Sequence, residues 1–220
     1  MPLYTQSRSA GGAANPAVVQ SKAAAGAFAT NPSTSAAYTS NVTSGNILVV
    51  TVYQSGGTIN TPTGSGAGCT TLTYTSQGTP GHGMNIWTAT AGATGACTIS
   101  DTGTSTGNVA LNLVVVEISG VVTTTPVVSA YDAIGACSSC TGTGLTTSVG
   151  NSMVLTFIMR SAGATVSAPS PFSFDINANN SQGAYNGVGH YLLVAAGSYT
   201  PTWTASGSPG FSDVSIALHP

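Results

Sequence analysis

From Asn46 to the C-terminus, short segments rich in Val, Ile, Thr, Tyr and Trp follow one another: "NILVVTVY", "TTLTYTS", "MNIWTAT", "ACTIS", "VALNLVVVEIS", "PVVSAYDA", "SMVLTFIMR", "FSFDI", "HYLLVAA", "YTPTWTA" and "DVSIAL". Gly, Asn, Pro, Ser and Asp punctuate them, the pattern of strands broken by turns. No window long enough for a helix sets apolar residues at helical spacing among good helix formers. The chain is therefore expected to be all-β, an antiparallel β-sandwich or jelly roll of about ten strands. No period of similar blocks is visible, which argues against a propeller or solenoid.

The strands divide by depth. "NILVVTVY", "LNLVVVEI" and "SMVLTFIM" are apolar on both parities, as expected of central strands covered by another layer. "TTLTYTS" and "YTPTWTA" alternate and should keep one wet face, with Pro201 marking an edge or a strand start. Residues 1–40 read differently. They are rich in Ala, Ser, Gly and Asn, and their large apolar residues are scattered: Leu3, Tyr4, Val18, Phe28 and Tyr38. "QSKAAAGAF" is bracketed by Pro16 and Pro32 and has no helical stripe. Residues 1–40 are read as an extended N-terminal arm making assembly contacts, ordered by lying on the domain or on a neighbouring subunit. Residues 41–220 are read as a single β-sandwich domain.

Charge then bounds the function. Asp, Glu, Lys and Arg make up 4% of the chain, where an ordinary domain carries about 25%. A surface of Ser, Thr, Gly, Asn and Gln suits a setting where charge repulsion is unneeded, such as a repeated place in an assembly. Three basic residues, Arg8, Lys22 and Arg160, with a net charge of −2, leave no patch for nucleic acid or for an anionic membrane surface. The apolar runs are far short of the ~20 residues of a membrane helix. The start of the chain has no basic stretch followed by an apolar core, so no secretion signal is read there.

Few residues could carry chemistry. Glu117 is the only glutamate, and it ends the most apolar run on the parity of Leu111, Leu113 and Val115. A buried carboxylate is costly unless paired, so it is read as scaffolding that accepts from Arg160 or from backbone N–H groups around Ser119 to Val121. His82, His190 and His219 are scattered; there is no "GxSxG" elbow and no close His pair, so solvated or locally bonded rings are expected. "DINANN", Asp175 to Asn180, faintly resembles a calcium loop but has Asn180 where that loop needs Gly and Asn186 where it needs Glu, so a polar turn is expected. In "CSSC" the flanking Gly, Ser and Thr make a redox helix implausible. Of the three possible connectivities we favour Cys69 with Cys97 and Cys137 with Cys140, which implies an oxidising final environment. Neither a catalytic residue nor a cofactor nor a metal is expected.

The order "SGNILVVTVY", "MNIWTATAGATGACTIS", "LNLVVVEISGV", "GNSMVLTFIM" and "AGSYTPTWTASGSPGFSDVSIALHP" resembles a β-sandwich domain that recurs in bacteriophage virion proteins and in secreted bacterial surface proteins. The resemblance covers about residues 40–220, and Glu117 matches a glutamate of that pattern. It implies a structural or adhesive module rather than an enzyme: a phage capsid decoration or tail surface subunit whose partners are copies of itself and other virion proteins. A bacterial surface or filament subunit is the first alternative. A glycan-binding module is the second, with host surface glycans stacking on Trp87, Trp203, Tyr185, Tyr191 and Tyr199. The expected location is the virion surface, or the bacterial cell surface for the first alternative.

Overall fold

The fold is taken from a computed structural model, which describes residues 15–81, 83–121, 128–132, 138–142, 144–161, 166–167, 169–179, 184–193, 195–206 and 211–220. The described residues are all-β and contain no helix. The first half holds β1 (Ala17–Ala25), β2 (Ser33–Ala37), β3 (Ile47–Gln54), β4 (Thr58–Ile59), β5 (Thr63–Ser65), β6 (Thr75–Gly81), β7 (Met84–Thr90), β8 (Thr98–Thr104) and β9 (Leu111–Ser119). The second holds β10 (Val128–Asp132), β11 (Ser139–Thr141), β12 (Leu145–Thr147), β13 (Ser152–Ser161), β14 (Val166–Ser167), β15 (Ser173–Asn179), β16 (Ala184–Leu193), β17 (Gly197–Tyr199), β18 (Thr202–Ala205) and β19 (Phe211–Leu218).

Two five-stranded antiparallel sheets carry the structure, in the orders β1-β9-β3-β7-β6 and β10-β19-β13-β16-β15. The all-β expectation holds, but the strands are distributed over several sheets: "ACTIS" (β8) and "TWTA" (β18) lie outside the two central ones, and β1 of the expected arm lies inside. Successive side chains of a strand point to opposite faces, and both faces are used here. Ile47, Val49, Ile86, Val114, Val116 and Ile118 of the first sheet meet Met153, Leu155, Phe157, Val214, Ile216 and Leu218 of the second in one buried core. The opposite parity of the first sheet, Leu48, Val50, Val52, Trp87, Leu111, Leu113 and Val115, packs with Tyr38, Val42, Cys69, Cys97 and Ile99 in another core. That core lies beneath an outer sheet of β2, β8 and β4, with β5 also paired to β8. β3 and β9 are apolar on both parities because they have a layer on each side.

The second central sheet is covered as well. Val154, Thr156 and Ile158, turned away from the shared core, are fully buried. On the same side, a Cβ at Gly142 would collide with the carboxylate of Asp213 on β19, so the segment joining β11 to β12 lies directly on that face. The small sheets β11-β18-β14 and β12-β17 form this last layer.

The two halves share one plan. In each central sheet the half's first strand lies at the edge beside its last, and in each half the outer sheet pairs a strand from early in that half with one from late (β2 with β8, β11 with β18). β1 contacts β15 and β6 contacts β10, so the first-strand edge of each half meets the far edge of the other, two equivalent contacts as across a two-fold axis. The sequence shows no repeat because the shared plan requires apolar residues at alternating positions, not particular ones. Only fragments match, such as "GN" before β3 and before β13.

Part of the expected arm is built into the fold. Its residues 17–25 are the edge strand β1, paired with β9 from Ala17↔Ser119 to Ala25↔Asn112, and residues 33–37 are β2, paired with β8. Of the two expected resting places, this stretch takes its own domain. Residues 1–14 of the expected arm lie outside the described residues.

Candidate functional site

Glu117 is fully buried, and three donors converge on its carboxylate. Oε1 accepts from the Thr43 amide at 2.8 Å and from Asn46 Nδ2 at 2.6 Å, and Oε2 accepts from Gln20 Nε2 at 2.6 Å. Gln20 also donates to the Ser40 carbonyl and accepts from the Ser40 amide. The turn that brings Thr43 and Asn46 into place depends on Gly45 at φ +87°, a left-handed conformation that glycine adopts without strain. Glu117 therefore ties together β1, β9 and the entry to β3. The donors are not the expected ones: they come from β1 and from the turn before β3 rather than from Ser119 to Val121. The carboxylate also lies on the face of the first sheet turned away from the sheet that contains Arg160. The Arg160 side chain lies outside the described part of the structure.

A second buried carboxylate is treated in the opposite way. Asp101 on β8 is 2% exposed, and neither of its oxygens has a hydrogen-bond partner. Burial pushes its carboxyl up to about 6, offset only in part by the nearby Thr102 amide. The hydroxyls of Tyr74 and Tyr38, in the same interlayer, are also buried without partners. The sequence reading missed Asp101. Its signal was a lone Asp on the parity of Ile99 in "TISDTGT".

The one described ion pair is Asp175 with His190. His190 Nδ1 lies 2.8 Å from both carboxylate oxygens, and this hydrogen bond raises the imidazole pKa above its ordinary value, against the lowering effect of burial. Asp175 occupies the register shift between Phe174 and Ile176 in β15, beside the Ser173↔His190 pair. "DINANN" is thus neither a calcium loop nor a polar turn: its first five residues lie in a strand, and Asn180 is outside the described residues. Ser21 Oγ of β1 donates to the Asp175 carbonyl at 3.3 Å, which links the two central sheets at this edge. His219 Nδ1 lies 3.2 Å from Ser152 Oγ, a local bond at the chain end; His82 lies outside the described residues.

Cys69 and Cys97 form a disulfide, as expected. It fastens the residue before β8 to the loop after β5. Cys140 is also disulfide-bonded and sits in β11 opposite Trp203; Cys137 lies outside the described residues. Both tryptophans are core residues, Trp87 5% and Trp203 0% exposed, so neither ring can stack on a sugar. Tyr199 packs its ring on Phe172 and donates to the Ser170 carbonyl. The side chains of Tyr185 and Tyr191 are outside the described part.

The outer layers end in hydroxyls. Ser33, Ser35, Thr58, Thr63, Ser65, Thr102 and Thr104 are exposed on the outward parity of one outer sheet, with Thr98 and Ser100 half-buried among them. Ser139, Thr141, Thr146, Ser167, Ser198 and Thr204 are exposed on the other. An open depression of about 400 Å³ beside β6 is lined by Thr71, Thr73, Thr75 and Thr90. Chemically these surfaces offer neutral hydrogen bonding and no charge. No family model, curated protein or solved structure matches the chain.

Proposed function

We propose that the chain is a non-enzymatic structural subunit of an extracellular particle, and in its most specific form a bacteriophage capsid decoration or tail surface protein. The observation that supports this most directly is the pair of outer sheets whose outward faces carry Ser and Thr and no charged residue. Such faces neither repel a like neighbour nor hold a charged substrate. Three of the described acids point the same way: Glu117 is saturated with scaffold donors, Asp101 is sealed between layers, and Asp175 is occupied by His190. A bacterial surface or filament subunit would have the same faces and would differ in requiring export. The glycan-binding reading is weaker, because burial of Trp87 and Trp203 removes its two largest stacking rings.

The test is self-association. Full-length protein should sediment as an oligomer, or an antibody against it should decorate particles released by the producing cells. A chain lacking residues 1–14 should stay folded and lose that association. A full-length chain that is monomeric at every concentration, with no label on any particle, would overturn the reading.

A further inference from the structure

β8 turns Ile99, Asp101 and Gly103 inward onto the first central sheet. Nothing there neutralises Asp101. β3 presents Leu48, Val50 and Val52 to this interlayer, β7 presents Trp87, and β9 presents Leu111, Leu113 and Val115. Among the described residues, the other titratable groups on this side are Tyr38, Tyr74, Glu117 and Lys22. Glu117 has its own donors, and Lys22 lies exposed on β1, its Nζ 3.4 Å from Thr39 Oγ1. The Tyr74 hydroxyl is raised first by burial and then by the Asp101 charge, and the Tyr38 hydroxyl by burial, then by Glu117 and Tyr74. Tyr74 thus feels the Asp101 charge, and Asp101 and both hydroxyls are buried without hydrogen-bond partners. An ionised carboxylate without a donor is costly when buried, whereas a protonated one carries no charge to desolvate.

We propose that Asp101, with Tyr74 responding to its charge, forms a proton-operated latch between the outer sheet and the first central sheet. With a proton on Asp101 the layer is closed; loss of that proton favours local opening of β8 and β2 away from β3 and β9. The Cys69–Cys97 disulfide holds the residue just before β8, so opening is confined to Asp101–Thr104 and to the partners across from it, Ser33 and Thr34 of β2 and Thr58 and Ile59 of β4. The latch modulates the layer whose outward face carries the hydroxyl array, and it does not depend on the assembly reading above.

Amide hydrogen exchange of the intact, disulfide-bonded chain tests this directly. After correction for intrinsic exchange, the opening constants of Thr34, Asp101 and Gly103 should be about tenfold larger at about pH 7.5 than at about pH 5, given an open-state carboxyl at its ordinary value. Amides of β13, in the other central sheet, should not follow. Asp101→Asn should remove the difference, and Tyr74→Phe should move its midpoint. Carbon-13 titration of the native chain is a check that needs no variant: the Asp101 carboxyl should titrate near the upper value. An Asp101 midpoint in the ordinary carboxylate range, opening that does not change with pH, or a pH response that survives in Asp101→Asn would each overturn the latch.

Discussion

Gln20 and Glu117 sit directly opposite each other in the β1–β9 register, and the Gln20 amide donates to Glu117 Oε2 at 2.6 Å. The only glutamate of the chain thereby fastens a polar edge strand to the most apolar one. Hydrogen bonds to a charged group contribute about 1.5–3 kcal/mol each and do not add simply. Glu117→Ala should therefore lower the unfolding free energy by about 2–4 kcal/mol in denaturant melts, and Gln20→Ala by less. The double variant should lose less than the sum of the two. Glu117→Ala combined with Arg160→Ala should instead be additive, because the carboxylate faces away from the sheet that carries Arg160.

Deleting residues 1–40 should do more than remove an assembly contact. It takes away β1, β2 and the Gln20 donor, and it uncovers the cores that hold Val18, Ala23 and Ala36. Circular dichroism melts should show loss of cooperative unfolding, or a midpoint far below that of the chain lacking only residues 1–14. Equal midpoints for the two truncations would show that β1 contributes no stability.

The Asp175–His190 pair predicts a pH dependence of the same sign as the Asp101 latch, since both groups have raised native pKa values and both contributions weaken as pH rises. The imidazole pKa is raised above its unfolded value, so the pair contributes fully below the ordinary histidine value of about 6.5 and is lost as pH rises through the raised one. Proton NMR titration should find His190 above the ordinary value in the native chain and lower in Asp175→Asn, where only the lowering effect of burial remains. An unshifted midpoint in Asp175→Asn would assign the effect to another group.

Peptide mapping of the unreduced protein should recover Cys69 joined to Cys97. For a sequence separation of 28, the chain-entropy estimate puts the stabilisation at about 3–4 kcal/mol. Cys69→Ala with Cys97→Ala should lose an amount of that order, and the outer sheet should be the region most affected in hydrogen exchange.

Much of this fold is legible in the amino-acid order. β-branched segments without helical periodicity make an all-β chain, apolar residues on both parities place β3, β9 and β13 at the centre, and Cys69 and Cys97 pair as their positions suggest. These features are local, set by alternation along a strand. Tertiary structure alone decided the rest. Polar, alanine-rich residues 17–25 become a strand because β9 supplies an open edge and Glu117 supplies an acceptor for Gln20, and neither is encoded within that stretch. The partners of Glu117 come from residues 71 to 97 positions away in the chain, where periodicity carries no information. The duplicated plan of the two halves is likewise hidden, since packing requires apolarity at a position and leaves the residue type free. Asp101 is inconspicuous in "TISDTGT" and becomes a buried, donor-less carboxylate only when the outer sheet closes over it.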